Sequence, residues 1–142
     1  MKVIKLEISQ ITCLGGVALV VLGVFSPWVK WPSWGEYLAG FVSGIEVIDG
    51  WIFLTLGFVA AVSAFRSLSE VGIGFLRLFP GFILFFGGWL NADVFRGFAE
   101  GRVPFGIVEN GTGSYLIAIG GLIVLISGLW ELHIYLETCS LR

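Results

Sequence analysis

Residues 114–135 read SYLIAIGGLIVLISGLWELHIY, and this stretch decides the class of fold. Its first charged side chain is Glu131, close to its end. An α-helix rises about 1.5 Å per residue, so about 20 apolar residues cross the hydrocarbon core of a bilayer, which is about 30 Å thick. The stretch therefore predicts a helix that crosses a membrane.

The chain as a whole is also strongly apolar. Its 142 residues are 57% hydrophobic and 13% charged, and the mean hydropathy is +0.97. Such a chain has too little polar surface to cover a water-soluble domain. Three further apolar runs are long enough to be spans, at residues 8–25, 48–65 and 71–90. We predict an all-α fold, an integral membrane four-helix bundle that forms a single membrane domain over residues 1–142.

The predicted spans are bounded by residues that start or stop helices. Pro27 follows the first run, and proline cannot continue a helix. Asp49 opens the second run as a helix cap. Arg77 and Pro80 interrupt the third run. Its lipid-embedded part is therefore expected to begin near Leu76.

Lysine and arginine are unevenly distributed over the two sides of the predicted spans. Short cytoplasmic loops of membrane proteins carry more of these residues than external loops do. One side holds Lys2, Lys5, Arg66, Arg77 and Arg142, and the other holds Lys30, Arg96 and Arg102. This bias predicts a multi-pass integral membrane protein with both termini in the cytoplasm. A cleaved signal peptide is the alternative for the first run, although residues 23–26 offer no small-x-small cleavage site.

The two predicted outer loops contain apolar residues at helical spacing. In the first loop these residues are Trp34, Tyr37, Leu38, Phe41 and Val42. In the second loop they are Val94, Phe95 and Phe98. A helix with one apolar face lies flat on a membrane surface. We therefore predict a short interfacial helix in each outer loop.

Small residues recur at intervals of seven in each predicted span. The four triplets are Ser9, Gly16 and Gly23; Gly50, Gly57 and Ala64; Gly74, Gly81 and Gly88; and Ser114, Gly121 and Gly128. Small residues let helices approach closely in lipid, and a seven-residue repeat favours a left-handed crossing. The triplets therefore predict a helix-packing seam at the centre of a left-handed bundle, with no room for a pore in one monomer. The alternative is that they follow from a glycine-rich composition of 21 glycines.

A few polar residues are candidates for partner contacts. Arg77 is expected either to face a partner acid or lipid phosphate, or to extend its side chain to the headgroups. Glu131 and His133, with Glu137, carry side chains that could hold a metal or relay a proton. A zinc site needs three or four ligands, so anchoring at the interface is favoured and no metal or cofactor is predicted.

Acidic and amide residues mark the predicted outer side. Asp49 and Asp93 could meet around a cation or a partner's basic residue, and helix capping is the alternative. Asn110 begins a glycosylation sequon, Asn110-Gly111-Thr112, at the start of the fourth span. None of these residues predicts catalysis.

The function that these patterns favour is non-catalytic. The chain has no Gly-x-Ser-x-Gly elbow and no phosphate-binding Gly-x-x-x-x-Gly-Lys motif, so we expect no enzyme. A net charge of −2 does not favour nucleic acid as a partner. We predict a structural or accessory subunit of a membrane assembly, which contacts lipid and binds other membrane proteins or itself through its helices. A small oligomeric channel or transporter is the alternative, and a membrane enzyme or lipid-binding factor is a third reading.

Three short stretches carry a resemblance to other proteins. They are Ser26-Pro27-Trp28 after the first span, Asp49-Gly50-Trp51 at the start of the second, and the glycine pattern from Gly113 to Gly121 in the fourth. With them the chain resembles small uncharacterised four-span prokaryotic membrane proteins. The resemblance is one of pattern, covers the spans only and implies no activity.

Overall fold

The computed structural model describes the backbone of residues 2–33, 40–65, 72–100 and 108–140. Within these residues the chain forms four α-helices, so the prediction of a mostly helical chain is confirmed. The helices are α1 (Lys2–Phe25), α2 (Ile48–Phe65), α3 (Gly72–Glu100) and α4 (Gly113–Ser140). Side chains are described for residues 8–33, 40–65, 76–92, 108–137 and 139.

Helix α1 ends where the sequence places a stop. The backbone N–H of Ser26 donates to the carbonyl of Leu22 at 3.0 Å, and the Ser26 hydroxyl donates to the same carbonyl at 2.7 Å. Pro27 has no N–H to continue the pattern. The chain therefore leaves the helix and turns into a strand.

Helix α3 is longer than predicted, which corrects the prediction for the second outer loop. Val94, Phe95 and Phe98 belong to α3, which runs without a break to Glu100. The predicted end at residue 90 was based on the polar residues that follow, and polar side chains do not by themselves stop a helix. No proline lies between Leu90 and Glu100. The second interfacial helix is thus a continuation of the third helix.

A small antiparallel sheet in the described residues corrects the all-α prediction. Its strands are β1 (Pro27–Trp31), β2 (Gly40–Ser43) and β3 (Glu109–Asn110), in the order β2-β1-β3. Phe41 and Val42 lie in β2, so this part of the first predicted interfacial helix is wrong. Pairing with β1 gives these backbone groups partners that helical spacing alone does not reveal. Residues 34–39 of that prediction lie outside the described residues.

Three of the described helices are long and apolar enough to cross a membrane. Their apolar segments are Ile8–Phe25, Ile48–Phe65 and Gly113–Glu137. The apolar part of α3, Leu76–Ala92, is shorter. Length and composition thus make this a membrane protein with at least these candidate spans.

The four helices pack in a ring in which α4 has the most extensive contacts. It packs against α1 and α3, while α2 completes the ring between α1 and α3. The core holds Val20, Val24, Trp28, Phe53, Leu84 and Ile117. Trp28, the first buried side chain of β1, donates from Nε1 to the carbonyl of Gly23 at 3.0 Å. The sheet therefore covers the end of the ring where α1 finishes and α2 and α4 begin.

Candidate functional site

The most unusual feature of the interior is a buried ion pair between α3 and α4. Arg77 is fully buried and Glu131 is 5% exposed. Arg77 Nη1 lies 2.7 Å from Glu131 Oε2. Of the alternatives for Arg77, the structure shows the partner acid, and that acid belongs to the same chain.

Serines from two helices bind the arginine, and a third serine binds one of them. Arg77 donates from Nη1 to Ser9 Oγ at 2.9 Å, from Nε to Ser63 Oγ at 3.3 Å, and from Nη2 to the Ser63 carbonyl at 3.1 Å. The Ser9 hydroxyl donates to the Ser127 carbonyl at 3.1 Å. Ser9, Ser63, Arg77, Ser127 and Glu131 form what we call the polar cluster. Each of the four described helices contributes to it.

The cluster neutralises charges that are expensive to bury. An ionised side chain inside a membrane protein normally pairs with an opposite charge or with backbone carbonyls. Arg77 has both, whereas Glu131 Oε1 has no hydrogen-bond partner among the described residues. The contact of Oε2 with Arg77 is an ion pair rather than an aligned hydrogen bond. The carboxylate is therefore held mainly by one arginine.

The position of this pair follows from helical phase. Arg77 lies four residues before Gly81, and Glu131 lies three residues after Gly128, so each shares the face of a predicted seam residue. Ser9 is itself a seam residue. That phase could have predicted that both charges point inward. Ser63 and Ser127 gave no comparable signal, because a serine in an apolar run is common.

His133 and Glu137 do not join Glu131. His133 Nε2 lies 3.3 Å from Glu137 Oε1, and these side chains are 72% and 54% exposed. Two residues along an α-helix turn the side chain by about 200°, so His133 faces away from the buried Glu131. Among the described residues no group of three or more His, Cys, Asp or Glu could hold a metal ion.

Of the polar residues of the predicted outer side, Asp49, Asp93 and Asn110, those whose side chains are described form no common site. Asp49 is half-buried in the first turn of α2. Asp93 lies in α3, and its side chain is outside the described residues, so a meeting of the two carboxylates stays a prediction. Asn110 Nδ2 donates to Tyr115 Oη at 3.2 Å, and its Oδ1 is buried without a hydrogen-bond partner in the described part of the chain.

The seam residues of α1 face the backbone of α4. A Cβ built on Gly16 would lie 2.7 Å from the carbonyl oxygen of Gly120, and one on Gly23 would lie 2.6 Å from that of Gly113. Real Cβ atoms do not come this close to backbone atoms. Gly113 and Gly120 were missed as seam residues, because they lie one position before the triplet chosen in α4.

The seam residues of α3 meet α4 on a second face. A Cβ on Gly81 would lie 2.7 Å from Leu125 N, and one on Gly88 would lie 2.6 Å from Ala118 N. A Cβ on Gly121 would meet the backbone of Phe85. Helix α4 therefore has two adjacent stripes of small residues, one for each neighbour.

The contacts of α2 are looser. A Cβ on Gly57 would lie 3.5 Å from Val20 Cγ1, an ordinary van der Waals distance. Ala64 is buried in a cluster with Cys13, Ala60 and Val124.

Gly128, on α4, is also buried. Gly74 lies outside the described side chains.

Large apolar side chains cover the outward faces of α2 and α3. On α2 they include Trp51, Phe58 and Phe65, spaced seven residues apart, and each is more than half exposed at 58%, 69% and 76%. On α3 they include Phe79, Phe82, Phe86 and Trp89. In water such surfaces would aggregate, whereas lipid tails or neighbouring helices can cover them.

Comparison with known proteins gives no family for this chain. No family model matches it, and no curated protein matches its sequence. The resemblance of its spans to small four-span prokaryotic membrane proteins therefore stays a prediction. Its function has to be argued from the geometry of the polar cluster, the close helix contacts and the outward aromatic faces.

Proposed function

We propose that this chain is a non-catalytic integral membrane protein that serves as a structural or accessory subunit and binds other membrane proteins or itself through its helices. The observation that carries the proposal is the contrast between interior and exterior. The interior holds close backbone contacts and an ion pair within the chain, whereas the outward faces of α2 and α3 carry large aromatic side chains. Contact surfaces thus lie on the outside of the protein.

The interior of the monomer is unsuited to transport. Gly16 and Gly23 bring α1 against the backbone of α4, and Gly81 and Gly88 bring α3 against the same helix. The polar groups of Arg77 are held by residues of the chain itself. These helices are so close that even an added Cβ would not fit between them. A solute could pass between them only if the helices moved apart.

The exterior is suited to lateral contact. Lipid gives two apolar surfaces no hydrophobic reason to associate, so partners in a bilayer are selected by packing. Rigid aromatic rings such as Trp51 and Phe58 provide large contact areas at a low cost in conformational entropy. Helix α2 has the looser contacts with its neighbours in the ring, and its outward face is the one we assign to partners.

The proposal includes four membrane crossings with both termini in the cytoplasm. The short apolar part of α3 is followed by helix as far as Glu100, so the helix itself is long enough to reach across a bilayer. The end of α2 meets the start of α3 at Ser63 and Arg77, and the end of α1 meets the start of α4 at Gly23 and Gly113, so each of these pairs runs in opposite directions. The excess of Lys and Arg then lies on the side of the termini.

Crosslinking in native membranes, followed by mild detergent extraction and mass analysis, tests the proposal. We expect the chain to be recovered in a homo-oligomer or a defined complex. The double substitution Trp51→Ala, Phe58→Ala should weaken that association. Leu129→Ala is the matched control, because Leu129 is an exposed side chain on α4.

Two outcomes would count against the proposal. A monodisperse monomer without partners in both lipid and detergent would contradict it. Ion flux through liposomes that carry a purified oligomer would favour the channel alternative instead, with a pore between subunits.

A further inference from the structure

Helix α3 is the weakest of the described helices as an independent span. Its apolar part, Leu76–Ala92, is shorter than the apolar segments of the other three. Arg77 lies at the start of this part, and Pro80 lies inside the helix, where it removes one backbone hydrogen bond. Each of these features makes α3 alone less stable in a bilayer.

Helix α4 pairs the charge of α3 and packs closely against its backbone. Glu131 neutralises Arg77 at 2.7 Å. Gly81 and Gly88 of α3 allow the backbone of α4 to approach directly, and Gly121 does the same from the side of α4. Helix α4, by contrast, carries an apolar segment that is long enough to cross a membrane by itself. Helix α4, which is apolar enough to cross a membrane by itself, therefore follows α3, which is less stable alone, in the chain.

We propose that α3 becomes stably inserted only together with α4, as a helical hairpin, and that the pair Arg77 and Glu131 locks the hairpin in place. The inference rests on the proposed four-span topology. Before α4 is present, Arg77 has only serine hydroxyls and a carbonyl as partners. The arrival of Glu131 supplies the opposite charge that lets the guanidinium stay between the helices.

Cell-free translation of the full chain with glycosylating microsomes tests the hairpin. An acceptor sequon in a Gly-Ser spacer is inserted after Gly101, in the segment that follows α3, and the natural sequon is removed by Asn110→Gln in every variant. When α3 is inserted, this segment faces the lumen and is glycosylated. When α3 is not inserted, the segment stays on the cytoplasmic side and is not glycosylated.

In this assay we expect Glu131→Gln to lower the glycosylated fraction by about twofold or more, because an arginine without a counter-charge is costly in a span. Glu137→Gln, which changes an exposed acid on the same helix, should leave the fraction unchanged. The double variant Arg77→Leu, Glu131→Leu should restore it, since no charge then remains to be paired.

The outcomes separate this inference from the topology on which it rests. Full glycosylation of Glu131→Gln would overturn the hairpin lock while leaving four spans intact. A double variant as defective as the single one would overturn it as well. An unglycosylated parent chain would overturn the four-span topology and the hairpin together.

Discussion

The two ends of the helix ring are stabilised in different ways. At the end near Ser9 and Ser63, a charged pair and serines occupy the interior. At the end near Trp28, the interior is mainly apolar and holds no buried charge among the described residues, and the sheet covers it. Burial of charge demands specific partners, whereas apolar packing tolerates graded change. Single substitutions should therefore lower the free energy of unfolding more at the polar end than at the apolar end.

The largest effect is expected where one member of the ion pair is removed. Glu131→Gln leaves the Arg77 guanidinium buried without a counter-charge, and it should lower the free energy of unfolding by about 3–5 kcal/mol. Reversible unfolding in mixed micelles measures this change. Glu137→Gln should have almost no effect. A small loss for Glu131→Gln would show that the two ends do not differ in the way described.

The next largest effect is expected where helices touch through backbone. Gly121→Ala places a Cβ against the backbone of Phe85, and overpacking of this kind costs about 1–3 kcal/mol. Gly57→Ala is the matched comparison, because its Cβ would meet Val20 at an ordinary 3.5 Å. Since alanine favours helix more than glycine does, Gly57→Ala should be neutral or stabilising. Equal losses at the two sites, measured in the same micelle assay, would contradict the contrast between α4 and α2.

A smaller effect is expected at the apolar end. Trp28→Phe keeps much of the packing against Phe53 and removes the hydrogen bond from Nε1 to the Gly23 carbonyl. A net loss of about 1 kcal/mol is expected for one hydrogen bond of this kind. Thermal unfolding, monitored through helix content by far-ultraviolet circular dichroism, measures this loss. A loss as large as that for Glu131→Gln would remove the distinction between the two ends.

The smallest effect is expected on the sheet surface. Lys30 Nζ lies 3.2 Å from Glu109 Oε2, with side chains 55% and 64% exposed. An exposed pair of this kind contributes at most about 1 kcal/mol, and salt screens it. Lys30→Gln should therefore shift the unfolding midpoint slightly at low salt and hardly at all at high salt. A salt-independent shift would indicate that the sheet depends on this pair more than its exposure suggests.

Much of the helical layout could be predicted from composition and local punctuation. The apolar run of residues 48–65 has the bounds that α2 has in the structure. Pro27 placed the end of α1. Both predictions depend on local physics, namely hydropathy and the missing N–H of proline. The prediction failed at α3, because the polar residues after Leu90 were read as a helix end.

The polar cluster was harder to predict than the helices. Glu131 was grouped with His133 because the two are close in sequence, although two positions in a helix lie on nearly opposite faces. Arg77 was noted, but its partner lies 54 positions further along the chain (131 − 77). The strand β2 was missed for a related reason, since its hydrogen bonds go to β1 and not to its own sequence neighbours.

The sequence by itself therefore determined that this protein is mostly helical and apolar enough for a membrane, and it gave the bounds of α2 and the end of α1. These properties depend on hydropathy and on residues that act within one turn of the chain. Only the tertiary structure decided that Arg77 meets Glu131, that α4 carries two small-residue stripes and that residues 40–43 are a strand. Each of these depends on which distant segments come into contact, and short-range patterns do not encode that choice.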